Sequence, residues 1–305
     1  MKSELTLIGF DIEGQWNAPL LKNAAEMSNA SLLFSESSII LAENSGEAGK
    51  ATTEIDELLT QFDQVLACES TQRSRSVYEL AAPRGRIGVI VGNERHGISN
   101  RVLKKADHVV SIPMLGRGIS SVNVAVAAAI ILYALERDFG RQRFRKSALC
   151  HNEIDVLICG PQDPSELGSL LRSAWAFGWR RVFLADPSGV WFTKDRQTIL
   201  AGRAAARCEV NRIVVSPDEQ LNFQDYDHIV VCGKERHGTP LSRFSPPNRG
   251  RVLLVYGRGD IPSDVRGTVE PLFVDYAEPI EACFRHAGSI VLSVVSQCLR
   301  RGRRG

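Results

Sequence analysis

The sequence predicts an α/β protein made of two similar domains in tandem, each a parallel sheet covered by helices. Three observations predict it. Short apolar runs rich in Val, Ile and Leu alternate with helix-forming stretches along the whole chain, which is how a parallel sheet buried on both faces reads. The alternation breaks once, at the polar and basic stretch GRQRFRKSALCHNE (140–153), and then resumes. Pieces of the first half return in the second half in the same order. Together these give a first domain over 1–139, a basic linker over 140–152 and a second domain over 153–305.

Taken in order, LTLIGF (5–10), SLLFSE (31–36), QVLACE (64–69), RIGVIVG (86–92) and HVVSIP (108–113) read as buried strands. Helices are expected over Ala18–Met27, Glu54–Leu59 and Val122–Arg137; in the last, Ala and Leu dominate and no Gly or Pro intervenes. After the linker come strands IDVLICG (154–160), RRVFLADP (180–187), DHIVVCG (227–233), GRVLLVYG (250–257) and EPLFVDY (270–276), then a final helix from about Ile280 to Leu299. The repeat is visible where Pro83–Gly92 aligns with Pro247–Gly257 with one residue inserted, and where DQVLACES (63–70) aligns with DHIVVCGK (227–234).

Bulk numbers narrow the class. Hydrophobic residues are 44% and charged residues 24% of 305, enough to bury a core in each domain without staples. A net charge of +2 does not by itself demand a nucleic-acid partner. The seven cysteines are odd in number and form no Cys-x-x-Cys pair, so they read as buried reduced thiols. Cys150 beside His151 is one Cys/His neighbour pair, and zinc wants three or four converging ligands, so no metal is expected. MKSELTLIGFDIEGQW lacks a signal-peptide core, and the longest apolar run, Val122–Leu135, is too short to span a bilayer. A cytoplasmic protein without membrane contact is expected.

The chemistry is carried by two linked stretches. Val89–Gly92 leads into Asn93-Glu94-Arg95-His96-Gly97-Ile98-Ser99, a strand running into a polar, glycine-closed turn. Ile112-Pro113-Met114-Leu115-Gly116-Arg117-Gly118-Ile119-Ser120-Ser121-Val122-Asn123 follows and opens the Ala-rich helix. A glycine-bearing loop after a strand lets backbone approach a flat ligand, and the carboxyl ends of parallel strands are where α/β proteins bind nucleotides and their relatives. Two readings stand for Ser120 and Ser121, ligand contact or plain helix N-cap.

These stretches resemble motifs two and three of the SpoU family in the SPOUT superfamily: a strand ending Gly-Asn-Glu-x-x-Gly, then Ile-Pro-Met, a glycine loop, Ser-Leu-Asn and a helix. The family's first motif, Asn-x-Gly followed by Arg and Ala, is similar to Asp163–Gly178, with Glu166 where Asn is usual and Arg172 retained. In the first half Asn17 is retained and Asn23 takes the arginine position. In the second half Gly259 replaces the motif-two glutamate, and His286-Ala287-Gly288 stands for Ser-x-Asn; Gly233–Gly238 resembles motif two but follows the wrong strand. The losses are complementary. The resemblance therefore implies two knotted SPOUT-type domains forming a pseudo-dimer within one chain, with one composite active site and one dead site.

The family's cofactor is S-adenosyl-L-methionine, and its reaction is methylation of RNA, tRNA or rRNA, at the ribose 2′-oxygen. By resemblance the catalytic group is Arg172, Glu94, Asn123, Ser121 and, least firmly matched, Asn17. The cofactor-binding group is Gly92, Asn93, Ile112, Met114, Leu115, Ser121 and Val122. Basic clusters at Arg84/Arg86, Arg141–Lys146, Arg180/Arg181 and Arg300–Arg304 suit RNA phosphates. Two other readings stay open: a degenerate SPOUT-fold protein that binds RNA without chemistry, and a methyltransferase acting on a small molecule or peptide. A nicotinamide oxidoreductase is disfavoured, because no Gly-x-Gly-x-x-Gly follows a strand.

Overall fold

A computed structural model of the chain describes all residues except 1–3, 37, 42–47, 51–53, 82–83, 117–120, 143, 161–162, 193–194, 207–212, 234–235, 258–260, 278–281 and 301–305. The chain divides into two compact units. One comprises Met1–Pro113, Asn123–Arg143 and Tyr276–His286; the other comprises Met114–Val122, Phe144–Asp275 and Ala287–Gly305. Each unit thus takes in one short segment, 114–122 or 276–286, from the opposite half of the sequence.

The first unit holds β1 (Glu4–Phe10), α1 (Asn17–Met27), β2 (Ser31–Ser35), β3 (Ile39–Leu41), β4 (Ala48–Lys50), α2 (Ile55–Leu59), β5 (Gln64–Cys68), β6 (Arg75–Ser76), β7 (Arg86–Val91), α3 (Asn100–Leu103), β8 (His108–Ser111), α4 (Val124–Glu136) and α5 (Phe139–Gln142). Its main sheet runs β2-β1-β7-β5-β8-β6, every pair parallel, while β3 and β4 form a separate antiparallel pair. On one face Ile8, Phe10, Val65, Ala67 and Ile90 pack with Ile55 and Leu58 of α2 and Val102 of α3. The helices α1 and α4 pack against each other. Ten of the thirteen α4 residues are buried, because a helix apolar all round has no face to give to water.

The second unit holds β9 (Ile154–Cys159), α6 (Pro164–Ala176), β10 (Arg181–Ala185), α7 (Arg196–Ala206), β11 (Val214–Pro217), β12 (His228–Gly233), β13 (Thr239–Pro240), β14 (Val252–Gly257) and β15 (Thr268–Phe273), with most of α8 (Phe284–Cys298). Its sheet runs β11-β10-β9-β14-β12-β15-β13, again all parallel. Matching β9 to β1, β14 to β7, β12 to β5 and β15 to β8 reproduces the first sheet's order, with β11 added at the edge.

The repeat extends to register. Gln64 faces Ile87 in one sheet and His228 faces Val252 in the other, which are the residues the sequence alignment pairs. One turn is built twice. Gly85 (φ +93°) and Gly250 (φ +89°) each approach an aspartate so closely that a Cβ would meet Asp63 Oδ2 at 2.6 Å or Asp227 Oδ2 at 2.8 Å. Each aspartate then accepts the next N–H, from Arg86 or Arg251, at 2.8 Å. The second unit adds a cluster at the start of its strands. Asp155, 6% exposed, accepts three hydrogen bonds from Arg181, one from Arg251 at 3.2 Å and one from the Tyr226 hydroxyl at 2.8 Å.

Three expectations shift. The stretch expected as linker, 140–152, overlaps α5, which begins one residue before it at Phe139, buried against Tyr78 and Tyr133, and within the stretch Ser147, also buried, donates its N–H to the Cys298 carbonyl. The strand expected over 108–113 ends at Ser111. The elements α7 and β11 were not expected: among the described side chains α7 buries Gly202 and Ala206 beside the half-buried Ile199, too weak an apolar stripe to read. Among the described residues no helix is long and apolar enough to cross a membrane.

Candidate active site

In the first unit the motif-two spacing makes a single braced turn after β7. A Cβ on Gly92 would meet the Gly97 carbonyl carbon at 2.5 Å, and Gly97, at φ +68°, would place one 2.2 Å from the Glu69 carboxylate. That carboxylate accepts the Ile98 N–H at 2.9 Å, so the turn closes only with glycines at both positions. Asn93, 5% exposed, accepts the Arg95 and His96 N–H groups on Oδ1 and donates Nδ2 to the Asp11 carbonyl. Asn93 and Gly97 also exchange backbone hydrogen bonds. Asn93 therefore enters the site as the brace of this turn, and Glu94 is what the turn presents.

Glu94 begins a chain of hydrogen bonds. Its Oε2 accepts the Glu13 N–H at 3.0 Å, and Oε1 accepts the Gly14 N–H at 2.9 Å and Nδ2 of Asn17. Asn17 Oδ1 accepts from Asn123 Nδ2 at 3.0 Å. Asn123 is the N-cap of α4, and its Oδ1 accepts the Ala125 N–H at 2.9 Å and the Val126 N–H at 3.4 Å. Both ends fix the direction. A carboxylate only accepts and helix N–H groups only donate, so each amide between them has one possible orientation. Three expected catalytic residues, Asn17, Glu94 and Asn123, thus form one polarised chain within one unit. The Glu13 and Gly14 N–H groups were not foreseen; nothing in their side chains marks a backbone anchor.

Two other expected residues meet in the second unit. Arg172 on α6 is 5% exposed, and it donates Nε to the Ser121 carbonyl at 2.5 Å, and Nη2 to Ser121 Oγ at 2.5 Å and to the Val122 carbonyl at 3.1 Å. One turn further along α6, the Ala176 carbonyl accepts the N–H groups of Leu115 (2.9 Å) and Gly116 (3.0 Å). Leu115 and Gly116 on one side, and Ser121 and Val122 on the other, are therefore fastened to the same helix. The N-cap reading of Ser121 is closed: Asn123 caps α4, and the Ser121 hydroxyl serves Arg172. The helix α6 starts cleanly, with Asp163 as N-cap and Pro164 in its first turn; Glu166 lies in that turn with its N–H on Asp163 Oδ1 at 3.4 Å. Covalent continuity links the two groups, since Val122 and Asn123 share a peptide bond.

Gly92 and Asn93 follow β7 and Ile112, 7% exposed, follows β8, so all three stand at the carboxyl edge of the first sheet. Met114, Leu115 and Val122 are half-buried in the second unit. Arg117–Ser120, Arg258–Asp260, Lys234, Glu235 and the Arg301–Arg304 tail lie outside the described residues. Gly238 follows β12, at φ +97°, with a would-be Cβ 2.1 Å from the Pro271 carbonyl oxygen. Its glycine thus answers packing against β15 and forms no second motif two. Among the described residues no three His, Cys, Asp or Glu side chains converge as for a metal ion.

The arginine position of the first half carries a different lock. Asn23 Oδ1 accepts the Cys283 N–H at 3.0 Å and bonds His286 Nδ1 at 3.1 Å. Since that oxygen is an acceptor, His286 carries its proton on Nδ1. His286 is fully buried, and burial holds its pKa down to about 3.

Residues 41–133 match the SpoU rRNA Methylase family. Relatives include an uncharacterized tRNA/rRNA methyltransferase of Synechocystis, 37% identical over 70 residues, which are 23% of this chain and 17% of that protein. The tRNA (guanosine(18)-2′-O)-methyltransferase of Thermus thermophilus is 47% identical over 49 residues, 16% of this chain and 25% of that one. The aligned regions span 17% to 25% of the length of these curated relatives. Among solved structures, the SpoU methyltransferase AviRb from Streptomyces viridochromogenes, in complex with AdoMet, superposes with a TM-score of 0.39 at 19% identity, covering 47% of this chain and 62% of that one. The family match takes in both the Glu94 turn and the loop leading to Asn123, and on that stretch the chain is similar to SpoU/TrmH-type proteins.

Proposed function

We propose that the chain methylates RNA at a ribose 2′-oxygen, with S-adenosyl-L-methionine as methyl donor and a tRNA or rRNA as substrate. The observation that carries this is the hydrogen-bond chain from Glu94 through Asn17 to Asn123, continued covalently into the Ser121–Val122 turn that Arg172 grips. The family match over 41–133 and the 2′-O-methyltransferase name of one relative support the reaction class.

The residues present suit such a donor. Gly92 leaves the end of β7 bare, Ile112 follows β8 in the same sheet, and Met114, Leu115, Ser121 and Val122 offer main-chain groups, with a hydroxyl from Ser121. The donor supplies an electrophilic methyl carbon on a sulfonium, so the protein's work is position and charge. Arg172 keeps its proton at any ordinary pH and cannot serve as a base. It acts through its charge, stabilising the alkoxide that develops as the ribose hydroxyl loses its proton to a phosphate or to water. Its Nε and Nη2 hydrogen bonds fix where that charge lies. Glu94, Asn17 and Asn123 orient the ribose.

Arg172→Ala tests this. Tritium transfer from labelled donor to total RNA should fall by two orders of magnitude or more, while calorimetry still records S-adenosylhomocysteine binding. Full transfer by this variant rules out the role of Arg172, and absence of binding by the wild-type chain rules out the methyl donor.

A further inference from the structure

We infer that Trp16 is a stacking platform for the base of the nucleotide whose ribose Glu94, Asn17 and Asn123 orient; this rests on the RNA reading above. Trp16 belongs to the first unit, as those three residues do. Its side chain is 70% exposed, the highest figure among the large apolar residues exposed in the described chain. The other four, Phe192, Leu200, Val214 and Val269, all belong to the second unit, so Trp16 is part of no large apolar patch. It occupies the N-cap of α1, where Ser, Thr, Asp or Asn would close the helix, and it makes no side-chain cap hydrogen bond. A tryptophan that neither caps the helix nor buries its ring breaks a local rule with no gain to the fold, and such departures collect at functional sites.

The candidate site itself holds the loop that carries this ring. Glu94 Oε1 accepts the Gly14 N–H at 2.9 Å and Nδ2 of Asn17, and the Asn17 N–H donates to the Gly14 carbonyl at 2.7 Å. Gly14-Gln15-Trp16-Asn17 is thus one tight turn, closed by its own backbone and tied at both ends to one carboxylate. No side chain fits at its first position: a Cβ on Gly14 would meet Asn17 Nδ2 at 2.6 Å and Glu94 Oε1 at 2.9 Å. One residue earlier, Glu13 gives its N–H to Glu94 Oε2 at 3.0 Å, and its carboxylate pairs with Arg95 Nε at 3.5 Å. These ties fix the Trp16 backbone, at φ −77° and ψ −13°, and leave its ring in water.

Place and ring together select the occupant. Trp16 and Asn17 share a peptide bond, so their Cα atoms are about 3.8 Å apart. A base joined to a ribose held at Asn17 is one sugar ring away from that ribose's 2′-oxygen, within the span of an indole carried by the next residue. Every nucleobase offers a flat π face, and proteins read unstacked bases by stacking them on aromatic side chains. A protein partner would need apolar surface around the ring. The exposed residues of the loop and of the Glu94 turn are instead Glu13, Gln15, Arg95 and His96, with Pro19 in the first turn of α1. The adenine of the methyl donor has the same flat face, so the experiment separates donor from substrate.

The experiment compares the full chain with Trp16→Ala and Trp16→Phe by tritium transfer from labelled donor to total RNA, with S-adenosylhomocysteine calorimetry and thermal melting on each. Trp16→Ala should melt and bind S-adenosylhomocysteine as wild type does, and raise the KM for RNA about tenfold with little change in kcat. Trp16→Phe keeps a ring and should recover most of that loss. Indole emission of the wild type should be quenched by total RNA and not by ribose 5-phosphate, which has no base, and the quenching should shrink in Trp16→Phe. An unchanged KM in Trp16→Ala, or equal quenching in Trp16→Phe, overturns the platform while leaving the RNA reading intact. Weakened S-adenosylhomocysteine binding by a folded Trp16→Ala assigns the ring to the donor's adenine and overturns it as well. If the wild-type chain transfers no methyl group to total RNA, the RNA reading falls, and the platform with it.

Discussion

Asn123 has two separable tasks, and one pair of substitutions tells them apart. Its Oδ1 caps α4 and its Nδ2 donates to Asn17. Asn123→Ala removes both. Loss of an N-cap costs about 1 kcal/mol, or a Tm lower by roughly 2–4 °C for a unit of this size. Asn123→Asp keeps an oxygen facing the helix N–H groups, with a charge the helix N-terminus favours, so its stability should match wild type. It nevertheless sets a carboxylate oxygen against Asn17 Oδ1. Asn17 cannot turn its amide over in response, because that would set its carbonyl against Glu94. Methyl transfer should therefore fall on the order of a hundredfold in the aspartate variant, as a misplaced catalytic group does. Urea melts and tritium transfer read the two effects. An aspartate variant with full activity would show that the chain does not serve the site; one as unstable as the alanine variant would refute the cap.

Two further outcomes follow from buried groups. Burial lowers His151 to about 4 and His286 to about 3, from an ordinary 6.5, so between these values the unfolded chain binds protons that the folded chain does not. Stability should be full above pH 6.5 and fall with acid by about 1.4 kcal/mol per pH unit for each histidine, less the contribution removed in His151→Asn, as urea midpoints across pH 4–7 would show. Asp155→Asn leaves the Tyr226 hydroxyl and two arginines with a weaker acceptor. Both arginines keep about half their side-chain surface in water, so the loss should be near the low end for a broken buried pair, about 3 kcal/mol by urea melt; an unchanged midpoint would show the cluster idle.

Much of the fold was legible because parallel strands buried on both faces keep long apolar runs, as in LTLIGF and RVLLVYG, and glycines punctuate them. The candidate site was legible where a motif constrains backbone, as at Gly92 and Gly97, which admit no side chain; the cap of α4, read at Ser120 or Ser121, falls instead to Asn123. Three things were not legible. The anchoring of Glu94 by Glu13 and Gly14 uses main chain alone. The short α7 hides its inward face behind Gly and Ala. The grip of Arg172 on Ser121 and Val122 joins residues some fifty positions apart, and the sequence shows only that the arginine is present.

Asn23 and Arg172 show how one position can diverge in a duplicated fold. Each lies on the helix after the first strand of its half, and each holds the segment that precedes the closing helix, α8 or α4. Arg172 presents only donors, and its partners are the carbonyls and hydroxyl of Ser121 and Val122. Asn23 presents an acceptor, and its partners are the Cys283 N–H and the protonated Nδ1 of His286. The polarity of the lock is inverted, so restoring arginine at position 23 should not restore a site. Asn23→Arg would set guanidinium donors against an N–H and an N–H-bearing ring, leaving both buried and unsatisfied, at about 2–3 kcal/mol. Asn23→Asp keeps the acceptor and adds a charge that favours imidazolium, so it should be as stable as wild type at pH 7 and lose less in acid. Calorimetry of both variants with S-adenosylhomocysteine should still give one site per chain. An arginine variant of wild-type stability would mean that position 23 does not act as an acceptor, and a second binding event would mean that the first-half position kept the capacity its sequence has lost.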